Sequence, residues 1–369
     1  MRQVNLFSQK SAFDIPLIVV TILLVIFGLV IIYEASVVAA FRDFGDKLYY
    51  FKNQLIWASL GLFSLGFFSF FDYRKLIRVA PFLLAISILL LLIVLIPGVG
   101  TKIYGARRWI SAAGFTFQPS EVAKLALVLY ETAIISKFEK YKIKFTDALV
   151  VIFLPAAVIS ALVLLEPDLG TSLIFIAVAL ILYFVGRGPI VHFILIIPPI
   201  ILAAVMAVFT HPYRIERVKS FFDPTHDPQG ASYQIYQILI ALSSGGLLGV
   251  GLGGSRSKFD FIPEIQSDAI FAVVVEELGF VGAVFLICLF LFLIKRSIHI
   301  ARLAPDYQGK ILAMGIIGLL SVQILFNLSS VVALVPLTGV PLPFISYGGS
   351  SLFVTMTSIG ILLNIKRQS

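Results

Sequence analysis

The sequence predicts an all-helical integral membrane protein that crosses the bilayer about ten times. Three observations carry this reading. Apolar residues make up 59% of the 369-residue chain and charged residues only 13%, about half the share of an ordinary soluble domain. Mean hydropathy is +1.03. The apolar residues also fall into ten separate runs, each near the ~20 residues that a helix needs to span hydrocarbon. A soluble enzyme, a nucleic-acid binder and a disordered protein all fit this composition poorly.

The runs cover 15–40, 53–71, 79–97, 119–136, 148–165, 169–186, 188–210, 268–294, 310–335 and 350–365. The first is too long for a signal-peptide core and no small-x-small cleavage site follows it, so it reads as a span. The second and third are separated by the basic stretch 72–78, and the fifth is preceded by the basic stretch 137–147. Gln118-Pro119-Ser120-Glu121 opens the fourth, with proline suited to a first helical turn and glutamate to the positive end of the helix dipole. Glu166-Pro167-Asp168 divides the fifth from the sixth, and Gly186-Arg187-Gly188 the sixth from the seventh. Ser267-Asp268 starts the eighth, and a basic segment at 295–310 leads to the ninth. Two connections are longer, 98–118 and above all 211–267, which is too polar to span and too long for a turn. With no internal repeat or low-complexity tract, 1–369 reads as one membrane domain.

Orientation follows from Lys and Arg in the short connections, which concentrate on the cytoplasmic side. With the N-terminus inside, the inner segments hold sixteen and the outer short ones six. Both termini are therefore expected in the cytoplasm, with 98–118, 166–168, 211–267 and 336–349 outside. The net charge of +8 has the same origin and does not call for nucleic acid. One cysteine, Cys288, excludes an intramolecular disulfide, and four scattered histidines lack ligand spacing for a metal cluster.

Ionisable groups inside a membrane cost a few kcal/mol each and mark functional candidates. Glu121, Lys124 and Glu131 share one face of the fourth span, either as a self-neutralising helix start or as site groups. Asp268 caps the eighth span or serves chemistry at its outer mouth. Glu276 and Glu277 lie roughly 12–14 Å deeper and lock packing or line a site. In the 98–118 loop, Arg107, Arg108 and Trp109 form an interface anchor or hold a phosphate in the guanidinium fork. Arg214, Arg217, Lys219, Arg256 and Lys258 add positive charge on the same side. Gly249–Gly254 formally matches a dinucleotide fingerprint but has no strand before it, so a tight or re-entrant backbone path is expected instead. Pro341–Ser351 is expected to do the same. These groups suit either an enzyme acting on a phosphorylated, lipid-linked substrate at the outer leaflet or a transporter of an anionic lipid.

The strings GARRWI (105–110), QPSEVAKL (118–125), EPDLGT (166–171), the stretch 233–279 and GVPLPFISYGGSS (339–351) resemble the SEDS family of cell-wall glycosyltransferases. The resemblance runs from about residue 15 to the C-terminus in the family's order. The stretch 96–110 is more similar to the division-type members (FtsW) than to the elongation type (RodA). The resemblance implies a SEDS fold with a large extracytoplasmic loop between the seventh and eighth spans. It also implies polymerisation of lipid II by inverting transfer at the outer face of the bacterial cytoplasmic membrane, at the division septum. Asp268 would be the catalytic base or a ligand of Mg²⁺ or Mn²⁺, with Glu121 and Lys124 completing the catalytic set. Arg107, Arg108, Trp109, Arg214, Arg217, Glu264, Ser346 and Ser350 would contact substrate. No organic cofactor is implied. The implied partners are a class B penicillin-binding transpeptidase and other division proteins. One departure is visible: the family's His-Thr-Asp-Phe stands here as Gln266-Ser267-Asp268-Ala269, which removes a histidine contribution. A lipid II flippase and an elongation-type polymerase are the alternatives.

Overall fold

The computed structural model describes residues 13–103, 106–112, 115–139, 143–255, 262 and 265–369. Three helices come first: α1 (Ile15–Phe44), α2 (Tyr49–Phe70) and α3 (Tyr73–Leu95). A small meander follows, of β1 (Gly100–Ile103), β2 (Ala106–Ala112) and β3 (Phe115–Phe117). Next come α4 (Pro119–Ile135), α5 (Phe145–Ala148), which runs through a π-turn into α6 (Leu154–Leu165), α7 (Leu169–Val185) and α8 (Ile190–Phe209). The long connection contains α9 (Pro212–Phe222) and α10 (Tyr233–Ser244). The chain ends with α11 (Ile270–Arg302), α12 (Tyr307–Val331) and α13 (Gly349–Arg367).

Every expected span is thus a helix, the fifth being α5 and α6 together. Eight are long and apolar enough to cross a membrane, while α4 and α7 have 17 residues each. The three-stranded sheet in 98–118 and the two helices in 211–267 are additions to the sequence reading. The sheet's strands are too short, and too mixed in composition, to produce a period-2 signal.

Local chemistry sets the helix starts. Asp14, Asp168 and Asp306 each accept a backbone N–H from the first turn of α1, α7 and α12 through the side chain, which satisfies a donor with no intrahelical partner. Packing sets the centre. Between apolar helices in lipid, association rests on close contact and interhelical hydrogen bonds rather than on burial from water. α13, α12, α4 and α7 form the buried core, and α13 is fixed to α2 by a Ser64–Thr357 hydroxyl contact at 2.6 Å. α8 lies at the periphery, with most of its side chains exposed.

α11 is not one continuous rod. Gly279 has φ 67 and ψ −166, which removes the i→i−4 bonds across it. The glycine-rich turn after α10 replaces them. Val250 and Gly251 N–H donate to the Glu276 and Glu277 carbonyls at 3.0 and 3.1 Å. Phe280 and Val281 N–H donate to the Gly246 and Leu247 carbonyls at 2.9 and 3.2 Å. The expected re-entrant path at Gly249–Gly254 is therefore a loop seated in a helix break, with each exposed backbone group paired.

Candidate functional site

Asp268 stands at the head of α11 in a turn, half-buried, and its carbonyl accepts the Asn327 Nδ2 of α12 at 2.9 Å. Asn327 also donates to the Val340 carbonyl at 2.7 Å. It therefore fixes the head of α11 to the 336–348 segment. On the other side, Ser346 Oγ donates to the Ser267 carbonyl at 2.5 Å and accepts Leu342 N–H at 2.8 Å. Tyr347 N–H reaches the Gln266 carbonyl at 2.8 Å. The backbone around Asp268 is consequently held from both flanks while its carboxylate is left to other contacts.

That carboxylate accepts the Ser267 hydroxyl at 2.9 Å. Burial pushes its pKa up, opposed by the Ser267 hydroxyl and by the charges of Arg217 and Arg108, with Asp168 adding to the rise. Gly339 separates Asp268 from Arg217. A Cβ on that glycine would stand 3.3 Å from Asp268 Oδ2 and 3.9 Å from Arg217 Nη1. Arg217, on α9, is exposed and donates Nη1 to the Leu337 carbonyl at 3.1 Å.

Arg108 arrives from the sheet. Thr101 pairs with Trp109 and Lys102 with Arg107, so Arg108 is the extra residue of a β-bulge, a device that re-aims one side chain. Its Nε donates to the Glu166 carbonyl at 2.8 Å, its Nη2 donates to the Pro167 carbonyl, and its Nη1 lies 3.6 Å from Asp168 Oδ2. Asp168 is itself fixed by Thr171 N–H and hydroxyl at 3.0 Å each. Tyr213 of α9 donates its hydroxyl to the Pro167 carbonyl at 2.9 Å. The turn at 166–168, which the sequence reading gave as an outer connection and part of a family string without naming a site residue in it, is the hub that joins sheet, α7 and α9.

The remaining candidates fall into different places. Glu121 and Lys124 form a buried pair, Nζ to Oε1 2.9 Å, with side chains 3% and 2% exposed. Lys124 Nζ also donates to Gln323 Oε1 at 3.0 Å. Gln323 and Asn327 are one turn apart on α12, so this pair sits under the Asp268 region, roughly 6 Å along the helix. With its charge already neutralised and out of contact with solvent, Lys124 does not present itself to an anion. Arg214 does not either: it is 2% exposed and donates to the Ala207 carbonyl at 2.7 Å, the Thr210 hydroxyl at 2.9 Å and the Leu164 carbonyl at 3.2 Å. Those contacts make it a staple between α6, α8 and α9. Ser350 Oγ accepts Gln118 N–H at 3.1 Å and ties the start of α4 to the start of α13. Arg107 and Trp109 flank the bulge, half-buried. Glu264 lies outside the described residues, as do Arg256 and Lys258.

Deeper in the bundle, Glu131 is fully buried with neither carboxylate oxygen hydrogen-bonded. Glu276 and Glu277 receive the Ser255 hydroxyl at 2.6 Å and its N–H at 3.4 Å, next to the seated glycine loop. These acids belong to separate surroundings and do not line one path. Sequence reasoning missed Asn327, Gln323, Asp168 and Gly339. The signal for the first two was available, since amides inside apolar spans are costly unless bonded.

Among the described residues no three His, Cys, Asp or Glu side chains converge on a possible metal position. The described residues therefore offer no closed metal cage.

Comparisons with known proteins give the family. The family model described as cell cycle protein (FtsW, RodA, SpoVE) matches residues 15–369. Stage V sporulation protein E of Bacillus subtilis (strain 168) is 39% identical over 366 residues, covering 98% of this chain and 99% of that protein. A probable peptidoglycan glycosyltransferase FtsW of Geobacter sp. (strain M18) is 38% identical, with 97% of each covered. Among solved structures, a chain of a peptidoglycan synthase complex that coordinates polymerization and crosslinking superposes with TM-score 0.79 at 30% identity, covering 97% of this chain and 98% of that one. The rod shape determining protein RodA of Thermus thermophilus superposes with TM-score 0.70 at 28% identity, covering 97% of each chain. A fold match along nearly the whole length, together with the family match from α1 to the last residue, makes this chain a member of the FtsW/RodA/SpoVE family.

Proposed function

We propose that this protein is a peptidoglycan glycosyltransferase that polymerises lipid II at the outer face of the bacterial cytoplasmic membrane, in cell division, with both termini in the cytoplasm. The observation that carries the reading is the half-buried Asp268 carboxylate, backbone-locked by Asn327 and faced by Arg217 and Arg108. A carboxylate with its pKa pushed up by burial is a better proton acceptor at neutral pH than an ordinary one. In this scheme Asp268 takes the proton from the acceptor 4-hydroxyl as that oxygen displaces the lipid pyrophosphate. Inversion needs only one such displacement and no covalent sugar intermediate.

The departing pyrophosphate carries negative charge, and the exposed Arg217 and the bulge-positioned Arg108 supply donors for it. In the alternative scheme Asp268 would hold a Mg²⁺ or Mn²⁺ that shares the neutralisation of that charge, and would then be a ligand and not the base. Glu121 and Lys124 act in this scheme from below, through Gln323, as positioning residues. A class B transpeptidase is the expected partner; the peptidoglycan synthase complex among the solved structures, which coordinates polymerization with crosslinking, supports that pairing.

A flippase would need a polar route through the bundle. Against it, the Glu121–Lys124 pair is closed off and Glu131 stands alone. Purified protein given lipid II, with and without Mn²⁺ or Mg²⁺ and transpeptidase, tests the proposal. Long glycan strands from wild type and none from Asp268→Asn are expected. Equal polymer from both would remove Asp268 as base. Lipid II flux across vesicles with no polymer from either would replace the enzyme with a transporter.

A further inference from the structure

The end of the bundle opposite the Asp268 site carries a feature that polymerisation does not use. Leu62, Phe63, Gly66, Phe67, Phe70 and Phe71 lie along one outward stripe of α2 and its end, and line a shallow, open surface groove. Nothing lies within 4 Å of the place where a Cβ on Gly66 would sit. The cleft is therefore open at its floor and walled by rings, with Phe67 stacked on Phe71 at 5.6 Å.

Positive charge gathers at its mouth. Arg367 Cζ lies 4.6 Å from the Phe70 ring centroid and 6.0 Å from that of Phe13, and Lys75 Nζ lies 5.9 Å from the Phe71 centroid. Arg78 is exposed one turn further along α3. The neighbouring Arg74 is neutralised by Asp306 at 2.7 Å and Asp72 at 3.9 Å. Among the described residues Lys75, Arg78 and Arg367 make no ion pair. The arrangement is thus amphiphilic, with uncompensated cations directly against an apolar groove. The Lys and Arg count puts this end at the cytoplasmic face.

We propose that this groove binds an anionic phospholipid of the inner leaflet, its acyl chain between Phe63, Phe67 and Phe70 over Gly66 and its headgroup on Arg367, Lys75 and Arg78. Arg367 and Lys75 rest on rings, and Arg367 donates to the Phe70 carbonyl at 3.4 Å, but a purely apolar occupant, such as another protein's span, would bring no counter-charge. An anionic headgroup satisfies both halves of the site. Juxtamembrane cations each contribute to anionic-lipid attraction, by about fivefold in affinity per charge.

The test uses the full chain, purified in detergent and delipidated, and read by native mass spectrometry. Phosphatidylglycerol and phosphatidylcholine with identical chains are titrated in parallel, with glycerol phosphate as the headgroup without a tail. Phosphatidylglycerol should be retained over phosphatidylcholine, and glycerol phosphate should not be retained. Arg367→Ala with Lys75→Ala should lower phosphatidylglycerol retention by about fivefold per charge. Gly66→Leu should lower it as well by filling the floor, with an unchanged melting curve because the space there is open, whereas Gly66→Ala should retain the lipid. Equal retention of the two lipids overturns the proposal. So does an unaltered phosphatidylglycerol signal in Gly66→Leu, or glycerol phosphate bound as well as the lipid.

Discussion

Asn327 Nδ2 lies 2.9 Å from the Asp268 carbonyl oxygen and 2.7 Å from that of Val340. One amide inside a membrane helix thereby fixes the backbone of the candidate base and that of the segment opposite it. Asn327→Asp keeps the shape and loses both donors. A displacement of about 1 Å at a reacting group costs on the order of 10²-fold in rate, so polymerisation by this variant should fall by about that factor. The variant should also melt lower, because two carbonyls lose their donor at a fully buried position, so the rates are compared at a temperature where both proteins are folded. Strand synthesis on labelled lipid II, measured beside a melting curve, checks it; wild-type turnover in Asn327→Asp would show that the clamp does not position Asp268.

The Glu121–Lys124 pair, at 2.9 Å and 2–3% exposure, calls for a different comparison. Removing one partner leaves a buried charge uncompensated, a loss of about 3–5 kcal/mol. Replacing both by neutral groups of similar volume is often near neutral. Lys124→Met and Glu121→Gln alone should each lower thermal stability strongly, and the double variant should recover most of it. If the pair only packs the bundle, polymerisation returns with stability. If it positions the site through Gln323, stability returns and activity does not.

Much of this was legible in the sequence because membrane helices announce themselves by length and hydropathy, and all ten runs became helices. The role proposed for Asp268 rests on the family motif, since an N-cap aspartate has the same local pattern. What was hidden is tertiary. Arg108 reaches Asp168 because of a bulge in a three-stranded sheet whose longest strand, Ala106–Ala112, does not alternate apolar and polar residues, and its hydrogen-bond partners are carbonyls, which any residue supplies. Arg214 looked like an anion ligand by residue type, yet Ala207, Thr210 and Leu164 absorb its donors. Charge near a site does not disclose which way a long side chain turns.

Glu166 carries a pH prediction. It is fully buried at the end of α6 with neither oxygen hydrogen-bonded. Burial, with a contribution from Asp168 and against that of Arg108, pushes its pKa up to about 9. A carboxyl whose folded pKa lies above its unfolded value binds more protons in the folded state. Stability therefore falls as pH rises from the ordinary carboxyl range toward 9 and levels beyond it. Glu166→Gln mimics the protonated form and should remove this slope. The variant should match wild type near pH 5 and melt higher at pH 8, with a gain of about 1–2 kcal/mol. Parallel curves at both pH values would mean that Glu166 ionises normally.

The seated glycine loop gives the last prediction, because two of its glycines separate backbone strain from docking. Gly249 has φ +79 and a Cβ there would stand 2.1 Å from the Glu277 carbonyl oxygen; Gly251 has φ +91 and meets nothing within 4 Å. Alanine at either position incurs the left-handed penalty, about 1 kcal/mol. Only Gly249→Ala must also push the loop out of the α11 break, which strands the Phe280 and Val281 N–H groups that the loop now pairs. Each buried amide left unpaired costs about 1–3 kcal/mol. Gly249→Ala should therefore be clearly less stable than Gly251→Ala, with faster hydrogen exchange at Phe280 and Val281. Polymerisation should fall with it, because the first part of α11, which follows directly on Asp268, is anchored through this break. Equal melting temperatures and equal exchange in the two variants would show that the loop's position does not support the helix.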